Sequence, residues 1–178
     1  TKKKFDDKPI NSIINKINFK LTRDQLSSIK EINNDLKSDK KMFRLLQGDV
    51  GSGKTIVSLI ASLNVIHSNF QVAFMAPTEI LAKQHYSLAQ KLFNSNIKIK
   101  LLTGKTEYKE RKIILNNLSK GNIDLLIGTH SLFQDKIEYM KLGLIIIDEQ
   151  HKFGVNQRKK LSDKAGKDCD VLVMSATP

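Results

Sequence analysis

Cysteine is nearly absent from this chain. Cys169 is the single one among 178 residues, so no internal disulfide can form and a reducing, cytoplasmic setting is expected. A nucleophilic role for one isolated thiol is not expected. Long apolar runs are also missing: none approaches the ~20 residues that span a bilayer. No charged-then-apolar segment opens the chain, so neither a membrane anchor nor a secretion signal is expected. The four histidines, His67, His85, His130 and His151, are scattered without metal-ligand spacing; with one cysteine they offer no zinc site. No internal repeat or low-complexity segment is evident. Acidic residues are few, 18 against 30 Lys and Arg, which leaves a net charge of +12. Such a balance suits an anionic partner such as nucleic acid, although a general enrichment in Lys would give the same charge without a binding site.

The 40 % of hydrophobic residues is ample for the core of one domain of this length. Residues 1–20, with Lys2, Lys3, Lys4 and Pro9, read as a solvated arm or the end of a linker. From Leu21 the pattern changes. Leu26, Ile29, Ile32 and Leu36 recur at helical spacing behind Thr22, a suitable N-cap. Strands are expected at Met42 to Gln47, Gln71 to Ala76, Ile97 to Leu102, Ile123 to Gly128, Leu144 to Asp148 and Val171 to Met174. Between them, apolar stripes at helical spacing (Ile56, Leu59, Ile60 and Leu63; Leu81, Leu88 and Leu92; Ile114 and Leu118) must each pack on something. This alternation predicts an α/β domain over residues 21–178, with right-handed crossovers and a mostly parallel sheet covered by helices on both faces. Ligands on such sheets sit at the carboxyl ends of the strands.

The first of these strands runs into Gly48-Asp49-Val50-Gly51-Ser52-Gly53-Lys54-Thr55, a complete G-x-x-x-x-G-K-[ST] phosphate loop followed at once by a helix. Glycines let the backbone turn tightly and bring its N–H groups against phosphate oxygens without Cβ atoms in the way. The helix adds its positive N-terminal end. Lys54 is placed to reach the β and γ phosphates, and the Thr55 hydroxyl to ligate Mg²⁺. ATP and Mg²⁺ are the expected ligands.

The run Leu144, Ile145, Ile146 and Ile147 suits a central strand buried on both faces, which delivers Asp148 and Glu149 to the phosphate site. Asp148 suits the carboxylate that anchors a nucleotide's Mg²⁺ through its water shell. Glu149 can orient and deprotonate the attacking water. By itself, a strand ending in a polar turn needs no such explanation; the phosphate loop upstream is what gives the pair its meaning. Thr22 and Gln25 also fit the S/T-x-x-Q capping box of a helix start.

The Asp148-Glu149-Gln150-His151 run resembles the Asp-Glu-x-His signature of superfamily 2 helicases. "LLQGDVGSGKT", "MAPTEILAKQH", "IGTHSLFQ", "LGLIIIDEQHKFGVNQR" and "VMSATP" are together similar to the RecG family of ATP-dependent DNA helicases. They fall in family order from Leu21 to Pro178. Gln150 separates the chain from related transcription-repair coupling and primosomal helicases, which usually carry Glu there. The resemblance implies a RecA-like fold and catalytic roles for Lys54, Asp148 and Glu149. It also implies that Gln150 and His151 link the nucleotide site to a neighbouring domain, and that Ser175 and Thr177 of "SATP" couple hydrolysis to translocation. Gln25 resembles the residue that reads adenine, a role that stands beside the capping box. Thr78, Thr103, Gly104, Thr129 and His130 resemble positions that contact a nucleic-acid backbone; hydroxyls and backbone N–H groups starting helices bind phosphates without reading bases. Thr78 serves equally as an N-cap. Lys152 stands where the family usually has Arg, so a planar five-donor fork is lost there; Phe153, Gln157 and Arg158 follow the family.

The family's second RecA-like domain, with its arginine finger, and its N-terminal wedge domain do not fit within 178 residues. The resemblance therefore implies the first motor domain of a larger enzyme that branch-migrates and unwinds forked or junction DNA, nearly inactive as an isolated segment. The alternatives are the motor of a transcription-repair coupling factor and a nucleotide-dependent nucleic-acid clamp without motor function.

Overall fold

A computed structural model of the protein describes residues 3, 6, 8–134, 136–148, 163, 166 and 169–176. Among these the order is α1 (Lys8–Lys16), α2 (Arg23–Lys37), β1 (Phe43–Gly48), α3 (Lys54–His67), β2 (Gln71–Met75), α4 (Glu79–Leu92), β3 (Ile99–Leu102), α5 (Tyr108–Ser119) and β4 (Leu125–Gly128). A 3-10 turn (His130–Phe133), β5 (Leu142–Asp148) and β6 (Asp170–Ala176) complete it. The expected strands are all present, with ends shifted by a few residues, and they form one sheet in the order β1-β6-β5-β2-β4-β3. Every pairing is parallel. All strands therefore release their chains at one edge, where the loops after β1 to β4 collect.

Alternation along the strands divides the core in two. Leu144 and Ile146 of β5 join Phe74, Leu172, Leu59 and Leu63 on the face covered by α1 to α4. Ile145 and Ile147 join Ala73, Met75, Val171 and Val173 on the other face, with Ile114 and Leu118 of α5. This is why β5 reads as an unbroken apolar run: side chains alternate between faces, and both faces are buried. Helix α3 is buried continuously from Val57 to Ile66, so the segment that follows the phosphate loop is anchored along most of its length. The outermost strand β1 alternates instead, leaving Phe43 and Leu45 exposed while Arg44 bridges Glu31 (2.8 Å) and Asp35 (2.7 Å) of α2.

The opening segment differs from the solvated arm expected of it. Residues 8–16 form α1, whose Ile10 and Ile13 are buried in the core beside α3. Nine residues with several polar side chains are too short to signal a helix in sequence; such a helix is held by packing of one face rather than by propensity. Lys3 is buried too, donating to the Gly143 carbonyl (2.9 Å) and paired with Asp170. Asp170 accepts in turn from the Met42 backbone N–H (2.7 Å).

Candidate nucleotide and nucleic-acid site

The phosphate loop leaves β1 at Gly48 and enters α3 at Lys54. Gly51 and Gly53 lie at φ +81° and +80°, the left-handed region where a Cβ is strained and glycine is not. Gly53 is the N-cap of α3 and supplies no side-chain cap. The first-turn N–H groups of that helix are thus left to a ligand or to solvent, at the positive end of a buried dipole. Lys54 folds back over the loop, its Nζ donating to the carbonyls of Gly48 (2.6 Å) and Asp49 (2.7 Å) and lying 3.4 Å from Ser52 Oγ. Val50 at the loop's crest is almost fully exposed, and space above Gly51 is open. A bare helix end, an open glycine concavity and a lysine ammonium fit a polyphosphate.

Asp148 lies at the same edge. In register, Gly48 is opposite Ala176 of β6 and Asp148 is opposite Met174, so one strand separates the loop from the carboxylate. Two strand spacings amount to roughly 10 Å, the scale of a phosphate chain with a hydrated cation. Ser175 lies between them on β6, its hydroxyl donating to the Ala176 carbonyl (3.1 Å). The structure thus brings together Gly48 to Thr55, Asp148 and Ser175. Glu149, Gln150, His151, Lys152, Phe153, Gln157, Arg158 and Thr177 lie outside the described residues.

Gln25 makes the capping box and something more. Its Oε1 accepts from the Thr22 N–H (2.9 Å), Thr22 Oγ1 accepts from the Gln25 N–H (3.2 Å), and Gln25 Nε2 donates to the Ser52 carbonyl (2.8 Å). A Cβ on Gly53 would fall 2.3 Å from that same Nε2. The amide therefore ties the start of α2 to the phosphate loop, a contact that the spacing of Thr22 and Gln25 does not reveal.

The loops after β2, β3 and β4 carry the nucleic-acid candidates along the rest of the edge. Thr78 is exposed, and its hydroxyl caps α4 by accepting from the Leu81 N–H (3.2 Å). Gly104 and His130 are exposed as well. Thr103 and Thr129 are buried: the Thr103 hydroxyl accepts from the Lys105 N–H (3.3 Å) and Thr129 Oγ1 lies 3.4 Å from Ser131 Oγ. Their hydroxyls serve the turns, so the surface of this region is made by Thr78, Gly104 and His130 rather than by all five.

One contact was not anticipated. His85 Nε2 lies 2.7 Å from Asp148 Oδ2, with both side chains largely buried. The signal was available in α4: His85 falls on the buried stripe with Ala82 and Ala89, and a polar ring on an apolar stripe needs a partner. Cys169 is buried, and desolvation pushes its thiol up to about 12, which keeps it protonated and unreactive. No group of three or more His, Cys, Asp or Glu suited to a metal is found among the described residues. No helix among them is long and apolar enough to cross a membrane.

A parallel sheet whose first strand opens into a glycine phosphate loop, with an acid at the end of a buried strand one place removed, defines a P-loop nucleotide-binding domain of the RecA-like kind. Comparison with known proteins narrows the class. The chain belongs to the DEAD/DEAH box helicase family, whose model matches residues 22–178. It is 54% identical over 160 residues to the ATP-dependent DNA helicase RecG of Streptococcus pneumoniae serotype 4, covering 90% of this chain and 24% of that protein. It also matches the solved structure of RecG bound to a three-way DNA junction, with TM-score 0.87 and 47% identity over 99% of this chain and 24% of the other. A DEAD box protein from Methanococcus jannaschii shares the fold alone, with TM-score 0.72 at 22% identity over 98% of this chain and 48% of the other. The chain spans about a quarter of the length of the RecG proteins it matches.

Proposed function

We propose that this chain is the first RecA-like motor domain of a RecG-type helicase, a cytoplasmic enzyme that couples ATP hydrolysis to branch migration and unwinding of forked or junction DNA. The observation that carries this reading is the shared edge of Gly48 to Thr55 and Asp148, in a chain about half identical to RecG over nine-tenths or more of its length. Residues 21–178 form the motor domain in this reading. A second RecA-like domain with an arginine finger and an N-terminal wedge belong to the remainder of the protein.

Each residue has a definite task here. The loop N–H groups and Lys54 bind the phosphates, and Gln25 reads the adenine with the amide capacity it does not spend on Thr22 and Ser52. Thr55 and Asp148 would hold Mg²⁺, which when bound neutralises charge on the transferring phosphate. Glu149 orients the attacking water and takes its proton. Gln150, His151, Ser175 and Thr177 carry the consequence of hydrolysis to the neighbouring domain. Thr78, Gly104 and His130, with backbone N–H groups near Thr103 and Thr129, track nucleic-acid phosphates irrespective of sequence.

The test is ATP turnover by the full-length protein with and without a three-way DNA junction. DNA-stimulated turnover that Glu149→Gln abolishes is expected, and a clamp without motor function would be insensitive to that change. Because an arginine finger contributes ~10³ to 10⁵ in rate, the 178 residues alone should bind ATP and hydrolyse it negligibly. Robust DNA-stimulated turnover by this segment would overturn the division of labour.

A further inference from the structure

The contact between His85 and Asp148 lies outside every role assigned so far. We propose that His85 is the positioning residue for Asp148, holding that carboxylate in the rotamer that presents its second oxygen to the nucleotide's cation. The proposal rests on the reading of Asp148 as the metal anchor and adds to it the group that fixes its orientation.

Three features of the fold converge on this bond. Leu144 and Ile146 face the α1 to α4 side of the sheet, and period-two alternation sends Asp148 to that same side. Helix α4 lies there, and its buried stripe carries His85 towards the end of β5. The imidazole is stacked on Phe74, with ring centroids 4.9 Å apart and planes tilted by 42°. Phe74 is fully buried on β2 and opposite Ile146 in register, so the ring that supports His85 is fixed by the strand beside the one that ends in Asp148.

The chemistry favours orientation. Nε2–H donates to Oδ2 in the Nε2–H neutral tautomer and in the imidazolium alike, whereas the Nδ1–H neutral tautomer would set a lone pair against the carboxylate, so the bond selects a protonated Nε2 without requiring a charged ring. A carboxylate held by one oxygen keeps the other for a hydrated cation. With the two side chains only 9% and 14% exposed, water competes poorly for the bond, and losing the donor would leave a desolvated carboxylate free to rotate. Partners that orient a ligating carboxylate typically alter metal affinity ~10 to 100-fold when removed.

The experiment uses the full-length protein with His85→Gln, His85→Asn, His85→Leu and Asp148→Asn. The Gln amide nitrogen lies about where Nε2 does, whereas the Asn nitrogen lies where Nδ1 does, so only Gln restores the donor. Binding of Mn²⁺ with a non-hydrolysable ATP analogue is followed by loss of the free-ion paramagnetic resonance signal. His85→Leu and His85→Asn should weaken it about tenfold, His85→Gln should stay near the parent value, and the ATP-analogue affinity without metal should be unchanged in all three. Metal binding in His85→Leu within twofold of the parent, while Asp148→Asn loses it, overturns the inference and leaves the anchor intact. Metal binding retained by Asp148→Asn overturns the anchor itself. Thermal unfolding of the metal-free protein supplies a second readout, should His85→Leu fold poorly. His85→Asn, which lacks the donor at that point, combined with Asp148→Asn should then cost less than the sum of the two single changes; strict additivity would show that no bond joins them.

Discussion

Replacing Gln25 by Ala tests the junction between α2 and the phosphate loop. The change removes two side-chain bonds, the one accepted from the Thr22 N–H and the one donated to the Ser52 carbonyl. Both are exposed, so water recovers much of each, and the pair should contribute about 1 kcal/mol, the lower end of the range for two hydrogen bonds. For a chain of this size that corresponds to a Tm about 2 to 4 °C lower, measurable by circular dichroism without nucleotide. Gln25→Glu separates the shares: a carboxylate can still accept from the Thr22 N–H, as in the Glu form of the capping box, but cannot donate to Ser52. It should lose about half as much. Affinities for ATP and GTP then address the adenine role, since a residue that reads the base narrows their difference when removed, while one that only steadies the loop weakens both by the same factor. A Tm unchanged within about 1 °C in Gln25→Ala would refute the reasoning.

Other consequences follow from burial and charge. Ile146→Ala, at a fully buried position between α3, α4 and the sheet, should cost about 2 to 5 kcal/mol, seen as a large fall in the urea midpoint; a loss below about 1 kcal/mol would mean that the site collapses around the missing atoms. Cys169 should resist a disulfide reagent at pH 8, because burial raises its thiol to about 12. Its folded value exceeds the ordinary one of 9.0, so the folded state holds the proton more tightly. The associated stability is complete below pH 9 and declines as pH rises towards 12; Cys169→Ala should flatten that decline in denaturation curves. Lys54→Ala should abolish ATP binding measured by calorimetry while leaving the fold intact, since among the described residues its Nζ bonds to groups of its own loop; retention of ATP affinity would show that Nζ does not reach the phosphates.

How far these features could be read from the chain depended on the range of the interactions. The phosphate loop is local: eight contiguous residues set its turn, and strand and helix flank it in sequence. The alternation of strands and helices was equally legible, because both faces of β5 are buried and the Leu144 to Ile147 run has no other economical explanation. What escaped was non-local. Helix α1 depends on α3 for its burial, and Lys3 on Asp170, 167 residues away. Thr103 and Thr129 look alike in sequence to Thr78, yet the turns that follow them fold over their hydroxyls, and only Thr78 is left exposed.

The sheet order sets the two candidate sites side by side along one edge. The nucleotide half is built from β1, β6 and β5, and the candidate nucleic-acid half from β2, β4 and β3, so the boundary falls between β5 and β2. Helix α4 straddles that boundary: its cap Thr78 follows β2 on the nucleic-acid side, and two turns later His85 reaches Asp148 on the nucleotide side. Helix α4 thus joins the two candidate sites through one element, with buried Phe74 holding the imidazole at its inner end.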